Sequence, residues 1–333
     1  MSAAMREASP VYALAVDIGG TKLAAAVIDS SGCVYGDVAT FFVPFGADGV
    51  ADPEALLEII ERVCRSVAVP LEGIGLSICG NVDEDSGMVP LSPNLHWRYL
   101  PFGQMVSEKT GLFVAAATDV RMAVLAEAIW GAARGVRYFA WATIGTGYGG
   151  YLFLDGKPYR GFHGYAGNFG HTTWDEKNGV MCGCGKRGCV ETFVSGPGIA
   201  RAGQAAVESG ASPLLSALAG AEPVTSKQVF KAAARGDPAA QKILDEAIRL
   251  TSINLAGLVN SLDLEMIVVG GGVANAALDY VARINARIRE FLMTEEAKRD
   301  LQVVRESFSN AALYGAAVDV FLRKNKISPK NRD

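Results

Sequence analysis

Three cysteines and a histidine fall close together in the middle of the chain. The run Cys182-Gly-Cys184-Gly-Lys-Arg-Gly-Cys189 follows His171 after ten intervening residues. Three thiolates and one imidazole form a complete tetrahedral donor set for zinc, closed to solvent as structural sites are. The C-x-C-x4-C spacing is not the common C-x2-C knuckle. The intervening Gly-Lys-Arg-Gly is nevertheless loop chemistry, unlike the apolar runs in which a packed cysteine behaves as a small hydrophobe. A structural Zn²⁺ held by His171, Cys182, Cys184 and Cys189 is therefore expected.

A second group of residues could handle phosphate. Asp17-Ile-Gly19-Gly20-Thr21-Lys22 follows a short apolar stretch and offers a carboxylate for a metal, a hydroxyl and a cation around a glycine turn. Backbone N–H groups in such turns approach anionic oxygens closely. Taken alone, the turn fits equally well a hairpin in which Asp17 bonds its own backbone. A second turn, Gly145-Thr146-Gly147, strengthens the phosphate reading, since two such turns can hold a polyphosphate. A third, Gly270-Gly271-Gly272, is a close-approach site that suits a flat base. Asp119 directly precedes a helical stretch, so local chemistry allows either an N-cap or an acid–base role. Asn94, His96 and Trp97 form a polar and aromatic loop that fits a sugar site or a surface loop with one buried Trp.

These groups must be carried by an α/β scaffold. Tyr12–Val16, Leu23–Ile28 and Cys33–Phe42 read as neighbouring strands of an antiparallel meander. Asp52-Pro53 opens a helix over Glu54–Val67. Ile74–Ile78 and Val114–Ala117 are buried strands, Val120–Arg134 a helix, Tyr138–Ile144 and Tyr151–Leu154 strands. Helices are expected over Ser226–Ala234, Pro238–Val259 and Ala276–Leu292, with a buried strand running into Met266–Gly272. The repeated strand–glycine turn–strand unit predicts two related α/β lobes. Neither turn spells G-x-G-x-x-G between a strand and a helix, which argues against a dinucleotide-binding dehydrogenase.

The 333 residues allow one large or two ordinary domains, half of the residues are hydrophobic, and the net charge is −4. That charge gives no electrostatic case for nucleic acid. Apolar stretches are strand-length, so no membrane association is expected. The leading MSAAMREASP lacks the apolar core of a signal peptide. Cys33, Cys64 and Cys79 read as packed thiols of a cytoplasmic protein, and the tail 326–333 as a flexible end.

The motifs together resemble the ROK family of sugar kinases. The resemblance rests on Asp17-Ile-Gly-Gly-Thr-Lys22, Pro93-Asn94-Leu95 before Trp97, Gly145-Thr-Gly147, Gly167-x-x-Gly170-His171 and Cys182-x-Cys184-x4-Cys189-x-Glu191. Val268-Val-Gly270-Gly271-Gly272 and Leu313-Tyr-Gly315-Ala316-Ala317 complete it in order. It implies an actin-like ATPase (ribonuclease H-like) fold with an active-site cleft between two α/β lobes. The expected lobes are 1–118, completed by a C-terminal helix at about 313–325, and 119–312, which carries the zinc loop. It further implies ATP and Mg²⁺ as cofactors, a small sugar-like substrate and a homodimer. Asp119 takes the place of the catalytic base. Asn94, Thr118, Asp119, Asn168, His171 and Glu191 would bind substrate. Asp17, Gly19, Gly20, Thr21, Lys22, Gly145, Thr146 and Gly147 would serve metal and phosphates, with Gly271 and Gly272 near adenosine.

Three departures bear on the substrate. The family's Glu-x-Gly-His reads Asn168-Phe-Gly-His171, its Asn-Asp-Ala-Asn reads Thr118-Asp-Val-Arg121, and its Pro-Gly reads Cys79-Gly80. The phosphoryl-transfer residues are retained while the substrate-recognising ones are altered. A kinase of the primary hydroxyl of a hexose or analogue is expected, with an amino sugar or a cyclitol of secondary metabolism as the alternative to glucose. The rival from another class is a sugar-sensing repressor. Such proteins add an N-terminal helix-turn-helix domain, for which about eleven residues before the first strand are too few.

Overall fold

In the computed structural model the described residues are 9–328. The expectations for residues 1–8 and for tail residues 329–333 lie outside them. At the start of that tail Lys326 is held in place: its Nζ pairs with Glu72 at 3.0 Å, and its N–H donates to the Phe321 carbonyl at 2.8 Å.

The chain begins with β1 (Tyr12–Ile18), β2 (Lys22–Asp29) and β3 (Val34–Phe42), followed by α1 (Pro53–Ser66) and β4 (Leu71–Ile78). A hairpin of β5 (Val89–Ser92) and β6 (Trp97–Leu100), α2 (Phe102–Thr110), β7 (Val114–Thr118) and α3 (Asp119–Ile129) come next. Then follow β8 (Phe139–Ile144), β9 (Tyr148–Leu154), β10 (Lys157–Tyr159), α4 (Glu191–Val194), α5 (Gly196–Glu208), α6 (Pro213–Ala219), α7 (Ser226–Ala234) and α8 (Pro238–Leu262). The chain closes with β11 (Met266–Gly270), α9 (Tyr280–Ile288), α10 (Glu295–Asp300), β12 (Gln302–Arg305) and α11 (Ala311–Arg323).

Two compact units result. One runs to Gly135 and resumes at Ser307; the other is Val136–Glu306. Each contains one five-stranded sheet, and the two sheets have the same plan. In the first, the order is β3-β2-β1-β4-β7, with β1, β2 and β3 antiparallel and β1, β4 and β7 parallel. In the second it is β10-β9-β8-β11-β12, again an antiparallel meander followed by parallel strands. The meander and the repeated hairpin are thus as the sequence predicts.

The expected lobe boundary at Thr118 moves to Gly135, because α3 packs in the first unit. Against it lies α11, which also lies against β4. Glycines permit both approaches: a Cβ on Gly315 would overlap the Met122 carbonyl, and one on Gly75 the Ala316 carbonyl. The opposite face of the sheet is covered by α1 and α2 through Leu56, Ile60, Phe102 and Val106, all buried. Helix starts follow local chemistry. Asp52 accepts from Glu54 and Ala55 N–H at 3.0 and 3.2 Å, and Thr225 and Gln228 form a reciprocal capping box.

Two helices are shorter than expected. The stretch read as helical to Arg134 ends at Ile129, where the buried Glu127 carboxylate turns back to accept from Ala132 N–H at 2.8 Å. The stretch read as helical from Ala276 begins at Tyr280, since Arg305 draws the Ala274, Ala277 and Leu278 carbonyls into hydrogen bonds of its own. Cys33 is exposed, unlike the packed thiol expected, because it stands in the turn leading to the edge strand β3.

Substituting Gly315→Ala forces a methyl group into the α3 backbone and should destabilise the protein by about 2–3 kcal/mol, at the upper end of overpacking costs. Urea unfolding checks this; an unchanged midpoint would mean that the two helices can separate without cost.

Candidate active site

Parallel strand ends gather the first set of residues. The registers Asp17↔Ser77 and Ile78↔Thr118 bring Asp17, Cys79 and Asp119 to one edge of the first sheet. Open α/β sheets bind ligands at this edge. The Asp17 Oδ1 accepts from the Ser77 hydroxyl at 2.6 Å. Burial raises the Asp17 pKa, and hydrogen bonds from Ser77 and Asn310 offset part of that rise. Asp119 is the first residue of α3 and not its cap. Thr118 is the N-cap, its Oγ1 accepting from Arg121 N–H at 3.3 Å. The capping role considered for Asp119 therefore belongs to Thr118, and the hydroxyl expected to face substrate is already in use as an acceptor. Arg121 instead pairs with Glu84 at 2.9 Å and with the buried Asp319 at 3.1 Å.

The Asp119 Oδ1 accepts from Val120 N–H at 2.9 Å. Burial, followed by the negative charge of Asp17, pushes the Asp119 pKa up to about 6. Two desolvated carboxylates at one strand edge are costly without a cation. Their oxygens are the ligands a hard divalent ion prefers, so the donor set fits Mg²⁺.

The glycine turns are less open than their sequences suggest. Gly19 N–H donates to the Lys22 carbonyl at 2.9 Å, and Gly145 N–H to the Gly147 carbonyl at 2.9 Å. Each turn thus spends one donor on closing itself. Among the described hydrogen bonds, the N–H groups of Gly20, Thr21 and Thr146 are not used in this way. A Cβ on Gly20 would sit 3.0 Å from the Asn94 Cβ, so the first turn and the Asn94 loop are in contact. Thr21, Lys22, Asn94 and His96 are exposed. Trp97 is buried and donates to the Ala51 carbonyl at 2.7 Å, which fixes the loop from beneath.

In the second unit, β8 and β11 run parallel with Thr143 opposite Gly270, so their following turns adjoin. Val273 N–H donates to the Ile144 carbonyl at 2.8 Å. Gly271 has φ +91°, and a Cβ there would lie 2.6 Å from the Ile144 carbonyl oxygen, so only glycine fits. A Cβ on Gly272 would meet nothing within 4 Å, which leaves that face of the turn open.

The cysteine loop converges as expected. The ligand atoms of His171, Cys182, Cys184 and Cys189 all lie within 4.8 Å of one another. Cys182 Sγ is 3.5 Å from His171 Nδ1, and Cys184 Sγ is 3.6 Å from Cys189 Sγ. Four donors around zinc at bond lengths of about 2.0–2.3 Å stand about 3.3–3.8 Å apart at the tetrahedral angle. The donor set and these separations fit that ion.

Glu191 connects the cluster to the second glycine turn. Its Oε2 accepts from Tyr148 N–H at 2.9 Å, while Oε1 lies 3.4 Å from Cys182 Sγ and 3.9 Å from His171 Nδ1. A Cβ on Gly147 would fall 2.8 Å from Glu191 Oε2. Asn168 is exposed and its Nδ2 donates one N–H to the Tyr165 carbonyl at 2.9 Å, leaving the second N–H and Oδ1. Sequence reasoning missed Ser77, Asn310 and Glu306. Ser77 carried a signal, since it is the single hydroxyl in the apolar strand Ile74–Ile78.

Comparison with known proteins follows this geometry. The profile of the ROK family matches residues 13–321. The glucokinase of Streptomyces coelicolor is 31% identical over 313 residues, covering 91% of this chain and 96% of that protein. The N-acetylmannosamine kinase of Citrobacter koseri is 31% identical over 311 residues, with coverages of 92% and 97%. A crystal structure of a ROK family glucokinase from Streptomyces griseus in complex with glucose and AMPPNP superimposes with a TM-score of 0.74 at 31% identity, covering 92% of this chain and 98% of that one.

The raised Asp119 pKa has a sign that can be measured. The folded protein holds this proton more tightly than the unfolded chain, so the associated stability is full below pH 3.8 and lost as pH rises through about 6. Asp119→Asn removes the buried charge. Its melting temperature should exceed that of the wild type by a few degrees at pH 8, with the gain shrinking to nothing below pH 4. Thermal melts at the two pH values check this; an equal difference at both would contradict a buried, charged Asp119.

Proposed function

The chain belongs to the ROK family, and we propose that it is a kinase transferring the γ-phosphoryl group of ATP to the primary hydroxyl of a hexose or a close analogue. Its fold is the actin-like ATPase fold of the ROK sugar kinases. The observation that carries the proposal is the pairing of Asp119, its pKa lifted to about 6, with Asp17 at the ends of parallel strands.

A general base works best with a pKa near the operating pH. Asp119 Oδ1 is held by Val120 N–H, which leaves Oδ2 to accept the proton of the attacking hydroxyl. The sugar oxygen then bonds to the γ-phosphorus as the bond to the β-bridging oxygen breaks, and ADP leaves with that electron pair. Asp17 would hold Mg²⁺ through water. When bound, the ion neutralises charge on the phosphate oxygens. In the first unit the inner N–H groups of Gly20 and Thr21 are donors for phosphate oxygens; in the second the N–H of Thr146 is another, and the open face of Gly272 admits the adenosine. Asn94, His171 and Glu191 orient the sugar. The His171, Cys182, Cys184 and Cys189 cluster holds a structural zinc that takes no part in the chemistry and keeps Glu191 in place.

The altered positions favour an amino sugar or a cyclitol over glucose. With Nδ2 bound to Tyr165, Asn168 presents one acceptor where a carboxylate would present two. A substrate hydroxyl buried on binding and left unpaired costs about 1–3 kcal/mol. A non-catalytic sugar sensor would have no use for a pair of adjacent half-buried carboxylates, which disfavours that reading.

Steady-state kinetics with ATP across hexoses, amino sugars and cyclitols test the proposal. Asp119→Asn should lower kcat by about 10²–10⁴-fold. The wild-type rate should fall with decreasing pH once Asp119 takes up its proton, near pH 6 or below it when Mg²⁺ is bound. Retention of more than about a third of kcat by the variant would sink the assignment of the base.

For the metal, elemental analysis should find one zinc per chain. Cys184→Ser should lose it together with thermal stability and activity. A fully active, zinc-free enzyme would rule the structural metal out.

A further inference from the structure

The carboxylate of Glu306 stands where the kinase reading puts adenosine, and nothing above gives it a part. It follows directly on β12, whose parallel pairing with β11 is continued by the hydrogen bond from Glu306 N–H to the Val269 carbonyl at 3.0 Å. The side chain turns back over the third glycine turn. Its Oε1 accepts from Gly271 N–H at 3.0 Å and from Asn275 Nδ2 at 3.0 Å. A Cβ on Gly270 would overlap the carboxylate, so the group is seated against bare backbone. Arg305, the nearest guanidinium in sequence, is turned to the carbonyls of Ala274, Ala277 and Leu278.

Glycine turns usually attract anions through exposed N–H groups. Here the N–H of Gly271 is already taken by an anion, and the field at the turn is reversed. A phosphate brought to it would meet a carboxylate, whereas a hydroxyl or an amine would meet an acceptor. We infer that Glu306 makes this turn a nucleoside subsite, accepting a hydrogen bond from a ribose hydroxyl or the adenine amine through Oε2, and that it selects nucleotide donors over inorganic polyphosphate. The inference rests on the kinase reading and adds to it the residue that chooses the donor.

The two ligand classes should respond in opposite directions to loss of the charge. Glu306→Gln keeps an acceptor for Gly271 and Asn275 while removing the charge. By isothermal titration calorimetry without Mg²⁺, its Kd for adenosine should rise about 5–10-fold, since charge-assisted hydrogen bonds are roughly twice as strong as neutral ones. Its Kd for inorganic tripolyphosphate should fall by about threefold or more, and the fall should shrink at high salt. Glu306→Asp, which keeps the charge but shortens the reach, should weaken adenosine binding and still reject tripolyphosphate. A purely structural role would weaken both ligands together in Glu306→Gln, and that result, or an unchanged adenosine Kd, overturns the inference while leaving the kinase reading intact. A wild type that binds neither adenosine nor ATP overturns both. Should Glu306→Gln not fold, the Asp variant decides alone: adenosine affinity equal to wild type, or tripolyphosphate binding tighter than wild type, overturns the inference.

Discussion

Two half-buried carboxylates at one edge of a parallel sheet are the constraint around which the first unit is organised. Asp17 and Asp119 are brought together by register, since β1, β4 and β7 end side by side. Among the described residues neither has a cationic partner comparable to the one Asp319 has in Arg121. Asp17 instead receives the neutral hydroxyl of Ser77, and Asp119 a backbone N–H. Hydrogen bonds of this kind leave much of the desolvation cost standing, which is why both groups hold protons more tightly than usual. A fold selected for stability alone would have paired them. Left unpaired, they are a standing invitation to a cation and to a transferable proton, the two requirements of phosphoryl transfer to a hydroxyl.

The same sheet plan carries different chemistry in the second unit because different residues stand at its strand ends. In place of Asp17 and Ser77, β8 and β11 end in Thr143 and Gly270. Glycine leaves bare backbone there, and the Glu306 carboxylate seats on it and takes the Gly271 N–H. Where the first unit carries its negative charge on the strand ends themselves, the second receives it from the segment after β12. The division follows from side-chain size at equivalent places in one topology, without any change of fold.

Much of this was legible in the sequence, for identifiable reasons. The convergence of His171 with Cys182, Cys184 and Cys189 was legible because thiols separated by glycines and basic residues have few other uses. The meander and the two hairpins were readable because apolar strands there are punctuated by glycine. Helix starts at Asp52-Pro53 and Asp237-Pro238 were local signals, and local signals survive folding. What was not legible depended on contacts between distant segments. The end of α3 at Ile129 is decided by the buried Glu127 carboxylate, which also receives the N–H of Ser307 at 2.6 Å. The late start of α9 is decided by Arg305. By residue type Asp119 is a better cap than Thr118, and only the position of the helix in space gave the role to Thr118. The partner of Asp17 is 60 residues away, and no spacing rule finds it.

Glu191 shows how a metal bound at the cysteine cluster would bear on the second glycine turn without chemical work of its own. One carboxylate oxygen fixes the N–H of Tyr148 beside the second glycine turn, and the other faces Cys182 and His171. If Glu191 were free to rotate, the hydrogen bond at Tyr148 would have to be bought with side-chain entropy of about 1.5–2 kcal/mol. The cysteine loop places Cys189 two residues before Glu191 and Cys182 against its carboxylate, so ordering of that loop fixes the rotamer in advance. Burial of Cys189, Val190 and Val194 anchors the backbone on either side of Glu191. Cys184 is exposed, so the core does not hold that part of the loop, and an ion bound by the four donors would tie it to the buried Cys182 and Cys189.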